Sequence, residues 1–403
     1  MVVRLLRKED LLQSKKISAI AFEFSSNLEV NPENYKEGND WGAYEGDDSE
    51  NPGKLFAQMY VHNHVMSFDG HWVNSAGIAG VSTLPEHRRN GGIRKIFEAV
   101  FENMMKREQI FSTLYPFSHA YYNKFGYETV NQSMQLTFGF NYLEIFDINT
   151  RGELVSNRES DELKNLYREY ALNHNTALNG DCTNWGRIPE NPYSNKRYAY
   201  LYRREDGTAA GYFIFEPSHS DGGRLFKVAE LIYKTPEDLI GIFGFMRVFS
   251  SQYSKIEITR IPAEEDFSFM FANQYEIEKK VAFYGMARVV DVEKALLLMN
   301  YPKESGSFSI KVNDSFAKWN DCIFDVSYNG GVEHHCGNVK VTKRVGGDYD
   351  VETSACTIAR LMLGTENILS ASIAFSQGLK IIKNHAVLKN VFVRKPIYIA
   401  DSF

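Results

Sequence analysis

Cysteine is scarce in this 403-residue chain: Cys182, Cys322, Cys336 and Cys356 are its four, and they stand far apart. Thiols so few and scattered exclude a disulfide-stapled scaffold and fit a reducing compartment. Long apolar runs are missing too. Nothing approaches the roughly 18 to 20 apolar residues that cross a bilayer, so no membrane span is expected. The opening MVVRLLRKEDLLQSKKISAIAF is broken by charges and has no apolar core of the secretory kind, which makes a cytoplasmic location the expectation. There is no surplus of positive charge either. With 45 basic side chains against 51 acidic ones, the chain has no general attraction for nucleic acid or anionic membrane, and a cationic partner fits the balance better.

What the chain does have is apolar and aromatic content, 43% and 14%, enough for packed cores in two or three domains over this length. Residues 81–127, VSTLPEHRRNGGIRKIFEAVFENMMKREQIFSTLYPFSHAYYNKFGY, are the centre of the reading. The stretch begins as an apolar strand end and passes through the basic turn His87-Arg88-Arg89-Asn90-Gly91-Gly92. It then takes helical spacing at Ile93, Ile96, Phe97, Val100, Phe101 and Met104. Strand, cationic turn and helix start together make a phosphate cradle. The first N–H groups of a helix have no partner within it, and glycine lets a pyrophosphate approach them.

Arg88-Arg89-Asn90-Gly91-Gly92-Ile93 resembles the RxxGxG/A acetyl-coenzyme A signature of the GCN5-related N-acetyltransferases (GNAT). Tyr122-Asn123-Lys124-Phe125-Gly126-Tyr127 resembles the YxKFGY element that closes their coenzyme site. The order and separation of the two motifs are most similar to those of the Eis (enhanced intracellular survival) branch. Ile93 stands where the generic signature has a small residue, as is common in that branch. The resemblance implies an α/β (α+β) chain of three parts: a catalytic GNAT domain over 1–150, a degenerate GNAT-like domain over 151–288, and a sterol-carrier-like domain over 289–403. It also implies acetyl-CoA as co-substrate, no metal, and a homo-hexamer built as a trimer of dimers.

Residue by residue, the resemblance assigns Val81, Ser82 and Thr83 to the splayed strand that pairs with the pantetheine arm. Arg89, Asn90, Gly91, Gly92, Ile93 and Arg94 fall on the phosphates, and Phe117 and Ser118 on the opposite wall. Tyr122 falls on the general acid, and the C-terminal carboxylate of Phe403 on the general base. The chemistry requires both roles. An ammonium with pKa near 10.4 has no lone pair until it loses a proton, and the departing thiolate must gain one. Tyr121 is the decoy; the spacing to Phe125-Gly126-Tyr127 selects Tyr122. An α-carboxylate near 3.5 is a weak base unless burial raises it or water intervenes, and holding the ammonium is its alternative duty. A backbone N–H near Val81 is expected to stabilise the oxyanion.

Around this centre, 55–68, the Asp69-Gly70 turn and 72–84 read as a hairpin. The acidic stretch 31–53 reads as a solvated loop or, functionally, as an electronegative rim in which Trp41 and Tyr44 offer aromatic faces to a cation. Residues 129–148 close the first domain. Helix 161–174, strands 198–203 and 211–216, helix 236–250 and strand 255–259 repeat its rhythm without a second RxxGxG. Strands near 307–312 and 322–328 and a helix over 354–364 belong to the third part. His119 is a packing or capping histidine or a proton relay, His62 and His64 share one strand face, and Glu333-His334-His335-Cys336 lacks zinc spacing.

The expected activity is direct acetyl transfer to primary amines of a cationic small molecule such as an aminoglycoside. The alternatives are a protein or peptide lysine acceptor, or a ligand carrier with a vestigial acetyltransferase.

Overall fold

The computed structural model describes the chain except for residues 36–37, 49–50, 52, 156, 159, 221–222, 330–337, 375–377 and 400–403. Three sheets organise it. The first has seven strands: β1 (Val2–Leu5), β2 (Trp41–Tyr44), β3 (Leu55–Phe68), β4 (His71–Thr83), β5 (Phe111–Leu114), then β14 (Met286–Val289) and last β6 (Glu128–Thr129). Every neighbouring pair is antiparallel except β4 and β5. The expected hairpin is present. Asp69 and Gly70 at its tip have φ of 49° and 81°, the pair of left-handed residues that a two-residue turn between twisted strands requires.

Helix α1 (Leu11–Phe22) packs on β3 and β4, and α2 (Gly92–Lys106) on β2, β3 and β4. All six apolar positions predicted for α2, from Ile93 to Met104, are buried. Each such side chain contributes about 1.5–3 kcal/mol when fully buried, so this stripe anchors the turn that precedes it.

The second sheet runs β13 (Glu278–Phe283), β7 (Gln132–Gly139), β12 (Lys255–Pro262), β11 (Gly223–Tyr233), β10 (Ala209–Ser220), β9 (Tyr198–Arg203), β8 (Gly152–Leu154). It is covered by α4 (Asp161–Leu172) and α6 (Pro236–Met246), with the single turn α5 (Pro192–Asn195) at its edge. The third sheet, β17 (Val339–Arg344), β16 (Ile323–Tyr328), β15 (Gly306–Asn313), β18 (Val351–Ser354), β19 (Leu379–Ile381), carries α7 (Val292–Leu298), α8 (Ala355–Leu363), α9 (Ile368–Ala374) and α10 (His385–Val391). Among the described residues no helix is long and apolar enough to cross a membrane.

The sheets do not respect the domain limits read from sequence. Residues 132–139, expected to close the first domain, form β7 between β12 and β13 of the second sheet. In return β14, assigned to the second domain, enters the first sheet, where all four of its residues are buried between β5 and β6. The physical reason is edge completion. Strand β6 has only two residues and cannot shield β5, so β14, which begins at Met286, supplies the missing partner.

Packing unites the parts. Met66, Phe68 and Phe111 of the first domain lie in one apolar cluster with Phe308, Ile310, Ile358 and Leu361 of the third. At the hairpin tip the buried Asp69 carboxylate receives Lys395 Nζ at 2.5 Å, the Asn300 N–H at 2.8 Å and the Asn175 amide at 3.2 Å, one group from each of three distant segments.

Candidate active site

Strands β4 and β5 pair in parallel from Ser75/Phe111 to Ile78/Leu114 and no further, while β4 runs on to Thr83 against β3 alone. That end of pairing opens a fork. Just beyond it, β4 carries a bulge in which Gly80 and Val81 oppose the single residue Met59. Gly80 has φ 58°, and a Cβ there would lie 2.3 Å from the Tyr60 ring, so only glycine fits. The bulge re-aims the backbone of Val81, Ser82 and Thr83. Of these Ser82 is buried, its hydroxyl donating to the Gly80 carbonyl at 3.0 Å, and Val81 and Thr83 are half-buried.

The chain then turns through a 3-10 segment at Pro85–His87 into the glycine turn. His87 is held by stacking on Phe56 at 4.7 Å and by Glu45 at 3.0 Å. Arg88, Arg89, Asn90 and Gly91 are exposed, and among the described residues neither Arg88 nor Arg89 has an ion pair. Gly91, φ 78°, is the N-cap of α2, and no side chain caps the helix. Gly92 and Ile93 are buried, fixing the first turn against the sheet. An uncapped helix start flanked by two unpaired arginines fits the phosphates of acetyl-CoA. Arg94 is placed differently from its expected partners: its guanidinium lies over the Phe316 ring at 4.9 Å and its Nε bonds Glu98 at 3.3 Å.

Across the fork, Phe117 is 71% exposed and Ser118 is the N-cap of α3 (His119–Asn123), accepting from the Tyr121 N–H. Tyr122 is 3% exposed, ringed by Phe97, Phe117, Tyr121 and Tyr127. No hydrogen bond engages its hydroxyl among the described residues. Burial pushes its pKa well above the ordinary value near 10, with Tyr121 and Tyr127 adding to the effect. The proton therefore stays on at neutral pH, as a donor must. Nothing described stabilises the tyrosinate. Tyr127 Oη meets Ser112 Oγ on β5 at 2.6 Å, tying the motif to the fork.

The YNKFGY motif is clamped from behind by residues the sequence reading did not single out. Arg288 on β14, fully buried, donates to the Phe125 carbonyl, pairs with Asp314 at 2.6 Å and lies on the Phe101 ring at 4.2 Å. Cys356 Sγ reaches the Asn123 and Tyr127 carbonyls at 3.4 Å, and Arg360 Nη1 the Thr129 carbonyl at 2.8 Å. A lone arginine inside the apolar run MARVV was the available signal.

Other expectations fall out unevenly. Within the acidic stretch Glu33 faces Lys8 at 3.9 Å, Glu45 pairs with His87 and Asp47 with the terminal amine, while Glu37 and Glu50 lie outside the described residues. Tyr44 is buried, stacked under Arg4 at 4.3 Å with its hydroxyl on Asp10, and Trp41 is half-buried in β2, so Tyr44 offers no face to a substrate. His119 is exposed and without a hydrogen bond among the described residues, so it is not packed into the core. His62 and His64 stack on one face with ring centres 6.0 Å apart. Phe403 and the segment Glu333-His334-His335-Cys336 lie outside the described residues.

Ile399 is the last described residue. Residues 396–398 pair with Asn175 and Thr176, and Ile399 Cδ1 lies 2.6 Å from where a Cβ on Gly285 would stand; the Leu114 carbonyl, at the mouth of the fork, is 3.9 Å from the same point.

The second sheet repeats the plan without the site. Strands β11 and β12 are parallel only from Leu225/Lys255 to Val228/Ile258, and β11 has a bulge at Ala229. Here the space is taken: Glu230 is buried against Arg187 at 2.7 Å, and Tyr398 packs within electrostatic reach of Glu230 on one strand and Arg260 on the other. In the third domain, a cavity of about 490 Å³ is lined by polar groups such as Ser307, Asp325, Ser327, Lys340 and Asp350, which suit no lipid tail.

Comparison with known proteins agrees with this geometry. Residues 2–130 and 181–289 each match the acetyltransferase (GNAT) domain, and 292–380 the sterol carrier protein domain. No curated protein matches by sequence. Solved structures of the same fold include a probable N-acyltransferase from Enterococcus faecalis (20% identity, TM-score 0.78, covering 100% of this chain and 99% of that one). A GCN5-related N-acetyltransferase from Anabaena variabilis is similar at 19% identity and TM-score 0.80, and Eis1 from Mycobacterium abscessus at 16% and 0.79, each covering 100% of both chains. Fork, glycine turn and matched domains define an acetyltransferase enzyme that uses acetyl-CoA as co-substrate. The chain carries two GCN5-related N-acetyltransferase domains followed by a sterol-carrier-like domain, and it shares its overall fold with Eis1.

Proposed function

We propose that the first domain transfers acetyl from acetyl-CoA directly to a primary amine of a small molecule, with Tyr122 as general acid. The observation that carries this is the buried, proton-retaining Tyr122 set across a fork whose other strand leads to an uncapped, arginine-flanked helix start. Val81, Ser82, Thr83, Phe117 and Ser118 line the two walls, and Arg89, Asn90, Gly91, Gly92 and Ile93 meet the phosphates. Arg94, turned toward Phe316, is the weakest of the set.

The neutral amine nitrogen attacks the thioester carbonyl, forming the C–N bond, and the oxyanion is met by backbone N–H groups at the bulge. Collapse breaks the C–S bond, the thiolate takes the Tyr122 proton, and the new amide nitrogen sheds its surplus proton to water, from which Tyr122 is reprotonated. Two features favour the Phe403 carboxylate as the group that takes the ammonium's proton: the approach of Ile399 to Gly285 and Leu114, and the four residues beyond it, a reach of at most about 14 Å. An aminoglycoside is the acceptor class expected of an Eis-type enzyme, acting in a cytoplasmic homo-hexamer.

The test is steady-state release of free coenzyme thiol with a panel of amines. Tyr122→Phe should lower kcat about 10²- to 10⁴-fold with acetyl-CoA affinity unchanged. Since burial holds the Tyr122 proton, wild-type activity should show no loss from its ionisation up to about pH 10. Deleting Phe403 should lower kcat in the same way. Unchanged turnover in either variant overturns that residue's role.

A further inference from the structure

The last described residues of the chain are held by all three domains at once. Lys395 gives its Nζ to the buried Asp69 carboxylate at the tip of the first domain's hairpin, and its backbone N–H donates to the Gly364 carbonyl of the third at 2.9 Å. Ile397 is buried in the apolar cluster that contains Phe308 and Ile358. Tyr398 enters the second domain, edge-on to the Tyr170 ring at 5.3 Å and within electrostatic reach of Glu230 and Arg260, one on each strand of the second fork.

A two-residue latch fixes the backbone between these side chains. Asn175 donates its N–H to the Pro396 carbonyl at 2.9 Å and accepts from the Tyr398 N–H at 3.1 Å, while Thr176 Oγ1 donates to the Tyr398 carbonyl at 3.2 Å. Both latch residues are buried and held in turn. The Asn175 amide donates to the Leu363 carbonyl at 2.9 Å, and the Thr176 N–H to the Ser67 carbonyl at 2.9 Å. Thr176 takes φ of 69°, a left-handed conformation in which a β-branched residue persists only where its surroundings over-determine it. Tyr398 is seated by its ring: its buried hydroxyl has no hydrogen-bond partner among the described residues. One residue further, Ile399 stands against Gly285 and the Leu114 carbonyl at the mouth of the first fork.

Building on the role given above to the Phe403 carboxylate, we infer that Thr176 and Tyr398 are positioning residues for acetyl transfer. The second domain's fork, filled by its own side chains, is the seat that aims the chain end at the first. A shift of about 1 Å in this strand would move the residues after it out of register with the first fork, and such a misplacement costs up to about 100-fold in rate. The step served is removal of the ammonium proton by the carboxylate before the amine nitrogen forms its C–N bond; the carboxyl then passes that proton to water. Thr176 and Tyr398 act through the strand and touch no reacting atom.

The test is thiol release by the full chain, using whichever amine of the panel turns over fastest, with acetyl-CoA affinity and the thermal midpoint measured alongside. Thr176→Val, which removes the hydroxyl and keeps the branched shape, should lower kcat about tenfold, and Tyr398→Leu about 100-fold, with acetyl-CoA affinity unchanged. Tyr398→Phe keeps the ring and should retain the wild-type kcat. The deciding readout is the same pair of substitutions in a chain already lacking Phe403, where neither should cost anything further, because residues that act through one group do not add. Equal losses in both backgrounds, or no loss in the intact chain, would overturn the inference and leave the carboxylate's role standing. A Phe403 deletion that itself leaves kcat unchanged would overturn that role and this inference together, with Tyr122→Phe still judging the general acid independently. Should Tyr398→Leu fail to fold, Thr176→Val decides by the same comparison.

Discussion

Helices α2 and α6 follow corresponding strands, β4 and β11, each the inner strand of a fork and each carrying a bulge. Their N-termini differ in every respect that matters to an anion. Gly91 caps α2 with no side chain, next to unpaired Arg88 and Arg89. Thr235 caps α6 in a full capping box with Asp238, behind Pro236 and Glu237. The second helix has satisfied its own N–H groups and placed carboxylates where a phosphate would sit. Its fork is likewise filled by Glu230, Arg187 and Tyr398. One backbone plan thus serves as a site in the first domain and as a support in the second. A handful of side chains separates the two uses.

The strongest way to break the contrast is to loosen what holds the first site shut. Arg288→Met leaves Asp314 buried alone and the Phe125 carbonyl without its donor. Stability should fall by about 3–5 kcal/mol, read as a lower denaturant midpoint, with kcat reduced in whatever fraction remains folded. An unchanged midpoint would mean that the clamp is dispensable.

Next, Gly91→Asp writes the second helix's cap into the first. Aspartate tolerates the left-handed φ of 78° better than most residues, so the fold should survive. The dissociation constant of acetyl-CoA should rise at least about tenfold, as one anion repels another at the helix start. Retained affinity would show that α2 is not the phosphate site.

The smallest effect belongs to the second helix. Thr235→Ala should cost about 1 kcal/mol of stability and leave coenzyme affinity untouched. Burial raises the Asp238 carboxyl, but hydrogen bonds from Arg204 and Thr235 outweigh it and hold its pKa below the ordinary value. Its contribution is therefore complete above the unfolded value near about 3.9 and is lost as pH falls through the lower folded value. Thermal melts from pH 6 to pH 2 should converge for wild type and Asp238→Asn at the acid end.

Much of this was legible in the chain itself because it is local. The DG turn, the stripe from Ile93 to Met104 and the glycine turn are each written within a dozen residues, where spacing and φ preference speak directly. Tyr122 could be picked from among twenty-three tyrosines only by its distance to Phe125-Gly126-Tyr127. The pairing of Glu33 and Glu45 within the acidic stretch was not legible, for the opposite reason. Whether a carboxylate is free or paired depends on partners such as His87 and Lys8, which only folding brings near.

Sequence alone determined the DG turn, the apolar stripe of α2 and the glycine turn before it, because hydrophobic period and glycine placement are properties of neighbouring residues; the three-part plan came from the resemblance of the motifs. Tertiary structure alone decided that β14 completes the first sheet, that Arg288 and Cys356 brace the tyrosine helix, and that a cavity walled by Phe22, Phe24 and Tyr35 sits beside the bulge. These join residues 40 to more than 230 positions apart. No local pattern records such a meeting; burial of shared apolar surface and satisfaction of buried polar groups select it.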